Sequence, residues 1–251
     1  MLSMMKRSVD NFQERIMPND LNSNTIYKDR AEAVKELIEA IEANHSPSGD
    51  TVIMAVSEGG VFFADRISDV FDCDMDILLT EPIFAPNNPE LAIAIVSETE
   101  DVVMDKALID AFGIDEDYIY SEASRNYDDT ILSYVYKYRK GMPLRPLGGK
   151  QVILTDESIE SGLTMTVALK SMIEMGVKSI YIAVPVLDQT VYDNLLNLCD
   201  GVFCPNRIRD YISIEYYYES LERLDFEALE QMIEAHGITD AREKKEKQID
   251  E

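Results

Sequence analysis

Two adjacent carboxylates, Asp156 and Glu157, open a stretch that carries hydroxyls and a glycine at short intervals: Ser158, Ile159, Glu160, Ser161, Gly162, Leu163 and Thr164. Residue types in this order suit a sugar phosphate. Consecutive backbone N–H groups at a turn that leads into a helix, reinforced by the helix dipole, cradle a phosphate. Ser158, Ser161 and Thr164 add hydroxyl donors, while paired acids accept vicinal hydroxyls and keep Mg²⁺ nearby through water. The same residues also suit a plain strand–loop–helix connection, in which a Ser or Thr caps the helix and the acids complement its N-terminal dipole. A second loop, Ser57-Glu58-Gly59-Gly60, follows the apolar run Thr51 to Val56.

Ligands of open parallel sheets bind outside the carboxyl ends of strands, so the elements around these loops decide whether the chemistry is possible. Short continuous apolar runs at Thr51–Val56, Met75–Thr80, Gln151–Thr155 and Ser179–Val186, with a shorter one at Gly201–Cys204, predict strands buried on both faces. Helical spacing recurs in Asp29–Ala43, Val61–Phe71, Thr164–Met175, Val191–Leu198 and Asp225–Ala235. The alternation predicts an α/β fold, doubly wound around a mainly parallel sheet. Residues 98–149 break the rhythm, first acidic and then Tyr-rich, and are expected to form a lid or hood inserted into a domain spanning 26–239. Residues 1–25 read as a loose lead-in and 240–251 as a charged tail.

The charge balance excludes several classes of partner. With 48 acidic against 23 basic residues the net charge is −25, the wrong sign for a nucleic-acid backbone. No apolar run reaches the ~18–20 residues that span a bilayer, and the N-terminus lacks a signal-peptide core. No membrane association and a cytoplasmic location are therefore expected. Three cysteines and two histidines are too few for a disulfide framework or a zinc site. Asp72-Cys73-Asp74-Met75-Asp76 precedes a strand rather than following one and reads as a polar loop. Arg125, Lys137, Arg139, Lys140 and Arg145 could lend cations from the lid, whose tyrosines could stack on a base or simply pack inside.

Residues 152–164, VILTDESIESGLT, resemble the phosphoribosyl-pyrophosphate (PRPP) signature of type I phosphoribosyltransferases: a hydrophobic strand, two acids, then T-G-x-T. The likeness extends along the chain. Tyr27 to Ala33 resembles the F-x-D-R-x-x-A opening of a bacterial branch of that family, Ala55 to Val61 its pyrophosphate loop, and Ala85 to Ala92 its a-P-g-N-P-E-l-A segment. Ala183 to Val186 and Tyr218 to Leu221 follow in the expected order.

The resemblance implies a PRPP ligand with Mg²⁺ held through water and no direct protein ligand to the metal. Asp156 and Glu157 would accept the ribose hydroxyls, residues 158–164 would hold the 5′-phosphate, and Ser57 to Gly60 would face pyrophosphate. Glu160 would assist proton transfer to a base, and dimers are common in such folds. The chain departs from its relatives on one side only: Glu58 stands where they carry a base before the Gly pair, Glu81-Pro82 where they carry Arg-Lys, and Ser133-Tyr134 where they often carry an Arg pair. The ribose-phosphate half of the site is thus expected to be intact and the pyrophosphate half depleted of cations. Two readings follow: transfer of phosphoribose from PRPP to a nitrogenous base, or a non-catalytic sensor or interaction protein that binds a phosphoribosyl group or nucleotide. A bulky residue at Gly162 is expected to cost binding more than stability.

Overall fold

The computed structural model describes residues 25–237. The charged tail and all but the last residue of the lead-in lie outside them. A five-stranded parallel sheet forms the centre: β1 (Thr51–Ala55), β2 (Asp74–Ile77), β6 (Gln151–Thr155), β7 (Ser179–Ala183) and β9 (Gly201–Phe203), in the spatial order β2-β1-β6-β7-β9. Every residue of β1 is buried, as the uninterrupted apolar run requires of a strand covered on both faces. One layer of the core joins α1 (Arg30–Asn44), α2 (Glu58–Phe71) and α8 (Phe226–Ala235). The other is built on α6 (Leu163–Glu174) and α7 (Gln189–Leu195). The doubly wound α/β architecture expected from the alternation is the one observed.

Two strands end several residues before their apolar runs do. The run Met75–Thr80 leaves the sheet at Ile77, because the Leu79 N–H turns from β1 to the Glu98 carboxylate (2.9 Å) and the Leu79 carbonyl accepts from Glu98 N (2.9 Å). Ser179–Val186 ends at Ala183, since Pro185 has no N–H to give the ladder. Val186–Asp188 starts a separate strand, β8, which pairs in parallel with β10 (Asn206–Ile208).

Between β2 and β6 the chain builds a second, antiparallel sheet: β3 (Thr80–Ala85), β4 (Asn88–Ser97) and β5 (Val102–Met104), in that order. It starts at Thr80, ahead of the 98–149 segment singled out by composition. Pro82 and Pro89 argue against strands there; Pro82 is accommodated because β3 is an edge strand. Helices α3 (Lys106–Phe112), α4 (Glu116–Asn126) and α5 (Leu132–Arg139) cover this hood, with a π-helical turn at Tyr127–Ile131.

Buried ion pairs fasten the hood to the central sheet. Arg139 is fully buried, bonded to Glu98 and lying 3.9 Å from Asp76 of β2. Arg145 reaches Asp74 (2.7 Å) and Asp76 (3.5 Å). Burial pushes the Asp76 and Glu98 carboxyls upward, and the Arg139 guanidinium opposes the push in both. Two sequence expectations are corrected here. Asp74 and Asp76 belong to a strand and anchor Arg145 rather than forming a solvated loop, and Arg139 and Arg145 are consumed as structural cations. Arg125 pairs with Glu122 and Lys140 with Glu230, so Lys137 alone of those lid cations reaches the site described below.

Truncating Arg139 would leave two acids buried without their counter-charge. Arg139→Ala should cost about 3–5 kcal/mol in urea unfolding at pH 7. The loss should shrink as the pH falls and Asp76 and Glu98 take up protons. A loss below ~1 kcal/mol would place Arg139 on the ordinary surface scale.

Candidate functional site

The order of the central sheet reverses between β1 and β6, and their in-register pairing sets Ala55 opposite Thr155. The loops after both strands therefore open side by side at the carboxyl edge, the usual place for a ligand crevice. Ser57 caps α2: its Oγ accepts from Gly60 N (2.9 Å) and donates to Asp156 Oδ1 (2.5 Å). The same Asp156 oxygen accepts from Glu157 N (2.8 Å). Burial pushes the Asp156 carboxyl up to about 7; the Glu157 charge adds to the push, and the two hydrogen bonds resist it. Gly60 is required by close approach, since a Cβ there would lie 2.7 Å from the Thr155 carbonyl oxygen.

The adjacent acids point to different tasks. Asp156 lines both cavities of the crevice. Glu157 turns instead to Arg30 at the start of α1, with Nε to Oε2 at 2.8 Å, and its carboxyl fills the space a Gly59 side chain would need. Arg30 also donates to the Glu222 carbonyl (2.5 Å), and the Tyr218 hydroxyl donates to the Glu157 carbonyl (3.1 Å). Glu157 thus joins β6, α1, the Gly59 turn and the C-terminal segment. Arg30 and Tyr218 were present in the family-like motifs; their contact with Glu157 was not legible, because it joins residues more than a hundred positions apart in one case.

The loop after Asp156 encloses a cavity of about 170 Å³ lined by Ser158, Ile159, Glu160, Ser161, Gly162 and Thr164, together with Asp156 and Met165. Ile159 is a buried wall: its N–H donates to the Val186 carbonyl (3.1 Å) and its carbonyl accepts from Asp188 N (3.2 Å), which commits its backbone to β8. Ser158 Oγ accepts from the Tyr211 hydroxyl (2.9 Å), and Glu160 is exposed at the rim. Gly162 precedes α6 at φ +77° and caps it with no side chain; the Leu163 N–H meets Ser161 Oγ (3.4 Å), while the Thr164 and Met165 N–H groups of the first turn are left for another acceptor. That φ disfavours side chains, and a Cβ would meet Val191 Cγ1 at 2.7 Å. The expectation that a bulky Gly162 variant spares the fold is therefore corrected.

A second cavity, about 250 Å³, shares Asp156 and Thr164 with the first and runs toward the hood, where Glu58, Glu81, Tyr134 and Tyr138 line it. Glu58 accepts from the Tyr138 hydroxyl and lies 3.6 Å from Lys137 Nζ. Lys137 also donates to the Tyr138 hydroxyl (2.8 Å). One residue from each departure from the family pattern thus faces one space: Glu58, Glu81 and Tyr134. Hard oxygen donors at Asp156, Glu58 and Glu81 fit Mg²⁺ held through water. Leu163 contributes only as the first residue of α6.

A parallel sheet wound in both directions, with a helix-opening loop on each side of its reversal, defines a doubly wound α/β protein of the class whose ligand crevices lie at that edge. The chain belongs to the phosphoribosyl transferase domain family, which it matches over residues 22–220. Two Mycobacterium tuberculosis proteins, each named "Putative phosphoribosyl transferase", are 23% identical over 189 residues, which is 71% of this chain. The chain spans 40% of the length of these relatives. The crystal structure of a Thermus thermophilus protein, TT1426, is similar at TM-score 0.68 and 25% identity, covering 83% of this chain and 98% of that one. Among the described residues no helix is long and apolar enough to cross a membrane.

The two acids should separate by experiment. With a folded value near 7 against about 3.9 unfolded, Asp156 holds extra proton in the native state between those limits. Its contribution is thus favourable below about pH 4 and is lost as the pH rises through 7. Asp156→Asn should raise the Tm at pH 8, with the gain shrinking steadily toward pH 4; an equal change at both ends would deny the shift. Glu157→Gln, by contrast, should destabilise at pH 8 by weakening the Arg30 contact, read from the same melting curves.

Proposed function

We propose that this chain binds a ribose 5-phosphate ester in the crevice between β1 and β6, and that binding rather than transfer is its main activity. The phosphate rests in the 158–164 hollow, on the Thr164 and Met165 N–H groups of α6 and the hydroxyls of Ser158, Ser161 and Thr164. Asp156 accepts the ribose hydroxyls, and Ser57 fixes its orientation. Glu157 supports that arrangement from behind, through Arg30. The observation that carries the emphasis on binding is the second cavity, where Glu58 and Glu81 stand on the wall that a departing pyrophosphate needs to be cationic. Lys137 is already paired with Glu58, and Arg223 lies in the adjoining hollow with both.

Family membership favours the second reading, transfer of phosphoribose from PRPP to a nitrogenous base. Mg²⁺ carried with PRPP, held through water near Asp156, Glu58 and Glu81, would supply the positive charge that this wall lacks. The protein's own part would be to orient the ribose with Asp156, to fix the 5′-phosphate with residues 158–164, and to move a proton at the exposed carboxylate of Glu160. No nucleic acid or membrane is required for either reading. A homodimer and a cytoplasmic setting are compatible with both.

Calorimetric titration of the natural protein separates them. Ribose 5-phosphate or a nucleoside monophosphate should bind within about threefold of PRPP, with or without Mg²⁺, because two lost charged contacts remove the ~1.5–3 kcal/mol each that pyrophosphate would gain. Thr164→Val, a near-isosteric change that removes a hydroxyl, should weaken all three ligands alike. Glu58→Arg with Pro82→Lys should strengthen PRPP selectively. PRPP affinity more than a hundredfold above the monophosphate, with pyrophosphate release in the presence of a base, would instead establish transfer.

A further inference from the structure

The second cavity has a chemistry of its own. Its walls combine the Glu58 and Glu81 carboxylates with the rings of Tyr134 and Tyr138, whose centroids lie 6.1 Å apart. Carboxylates beside aromatic faces attract organic cations through both charge and the ring quadrupole. The chain already demonstrates this at the cavity edge. Lys137 Nζ sits 3.6 Å from Glu58, 4.6 Å from the Tyr138 ring centroid and 4.8 Å from that of Phe226. Glu81 has no such partner: among the described residues no cation pairs with its carboxylate and no hydrogen bond reaches it, though it lines the same wall. An approaching positive charge would supply what Glu81 lacks, whereas a phosphate anion would meet repulsion from both acids.

The position of this cavity relative to the phosphate hollow sets the shape of the ligand. The two spaces meet at Asp156 and Thr164. A ligand with its phosphate in the hollow and its ribose on Asp156 would therefore direct its C1 substituent past Asp156 toward Glu58, Glu81 and the two tyrosines. We propose that the C1 substituent held there is a positively charged nitrogenous ring, so that the ligand class is a cationic ribonucleoside 5′-monophosphate. The proposal rests on the reading of residues 158–164 as the phosphate site.

Nicotinamide mononucleotide and its reduced dihydropyridine form isolate the charge, because they differ by one hydride and keep the same ribose phosphate. The oxidised, cationic form should bind the natural protein about tenfold more tightly, the scale of a carboxylate-assisted cation–π contact. Glu81→Gln should bring that ratio to about threefold or less, and high salt should narrow it. Equal affinities for the two forms, with ribose 5-phosphate still binding, would overturn the cation proposal and leave the phosphate reading standing. Failure of ribose 5-phosphate and of both mononucleotides to bind would overturn the phosphate reading, and the proposal with it.

Discussion

The in-register pairing of β1 with β6 is the constraint on which the rest depends. These strands lie far apart in sequence, yet Thr51 opposes Gln151 and Ala55 opposes Thr155. Their pairing puts Ser57 within hydrogen-bond reach of Asp156, brings Gly60 against the Thr155 carbonyl, and lets the Glu157 carboxyl fill the space above Gly59. A one-residue slip would turn every side chain to the opposite face, into the wrong one of the two cores, and part Ser57 from Asp156. Both loops are therefore fixed by a ladder of backbone bonds and a two-faced apolar core, not by their own flexible residues.

The hood depends on that sheet through charge. Asp76 sits on β2 beside β1, and its partners, the buried Arg139 and the partly exposed Arg145, bracket the end of the hood. Buried pairs contribute little net stability once desolvation is counted, but removing one member leaves an isolated charge in a poor solvent. Such a network holds the hood in one placement rather than tightening it. Through that placement the residue before Arg139, Tyr138, meets Glu58 of the opposite loop, and Tyr134 faces Glu81 across the cavity. Arg139 and Arg145 are thereby spent on architecture, while Lys137 alone of the lid's basic residues reaches the crevice, where it pairs with Glu58.

The electrostatic result is an asymmetric crevice. One side offers the Thr164 and Met165 N–H groups and hydroxyls around a helix that follows a glycine; the other offers carboxylates and tyrosine rings. Asp156 belongs to both sides, and its elevated proton affinity follows from burial first and from sharing a confined space with Glu157 second. Arg30 relieves part of that crowding by drawing Glu157 away. Ligand preference in such a site is governed by which ends of a molecule are anionic and which are not.

Much of this was written in the sequence. The runs TVIMA and QVILT are too apolar and too short for anything but doubly covered strands, and strand–helix alternation left the doubly wound fold as the natural packing. The acid pair, the hydroxyl-rich turn and the replaced cations were legible as residue types at fixed spacing. Antiparallel strands β3 and β4 were not, because prolines and acids at a sheet edge look like loop until a partner strand is present. Nor was the division of labour within Asp156-Glu157, or the fate of Arg139 and Arg145. A side chain's charge is a property of its type, and the sequence states it. Which opposite charge meets it, and whether water remains beside it, depends on neighbours brought together across about forty to more than a hundred residues, and only the tertiary structure decides that.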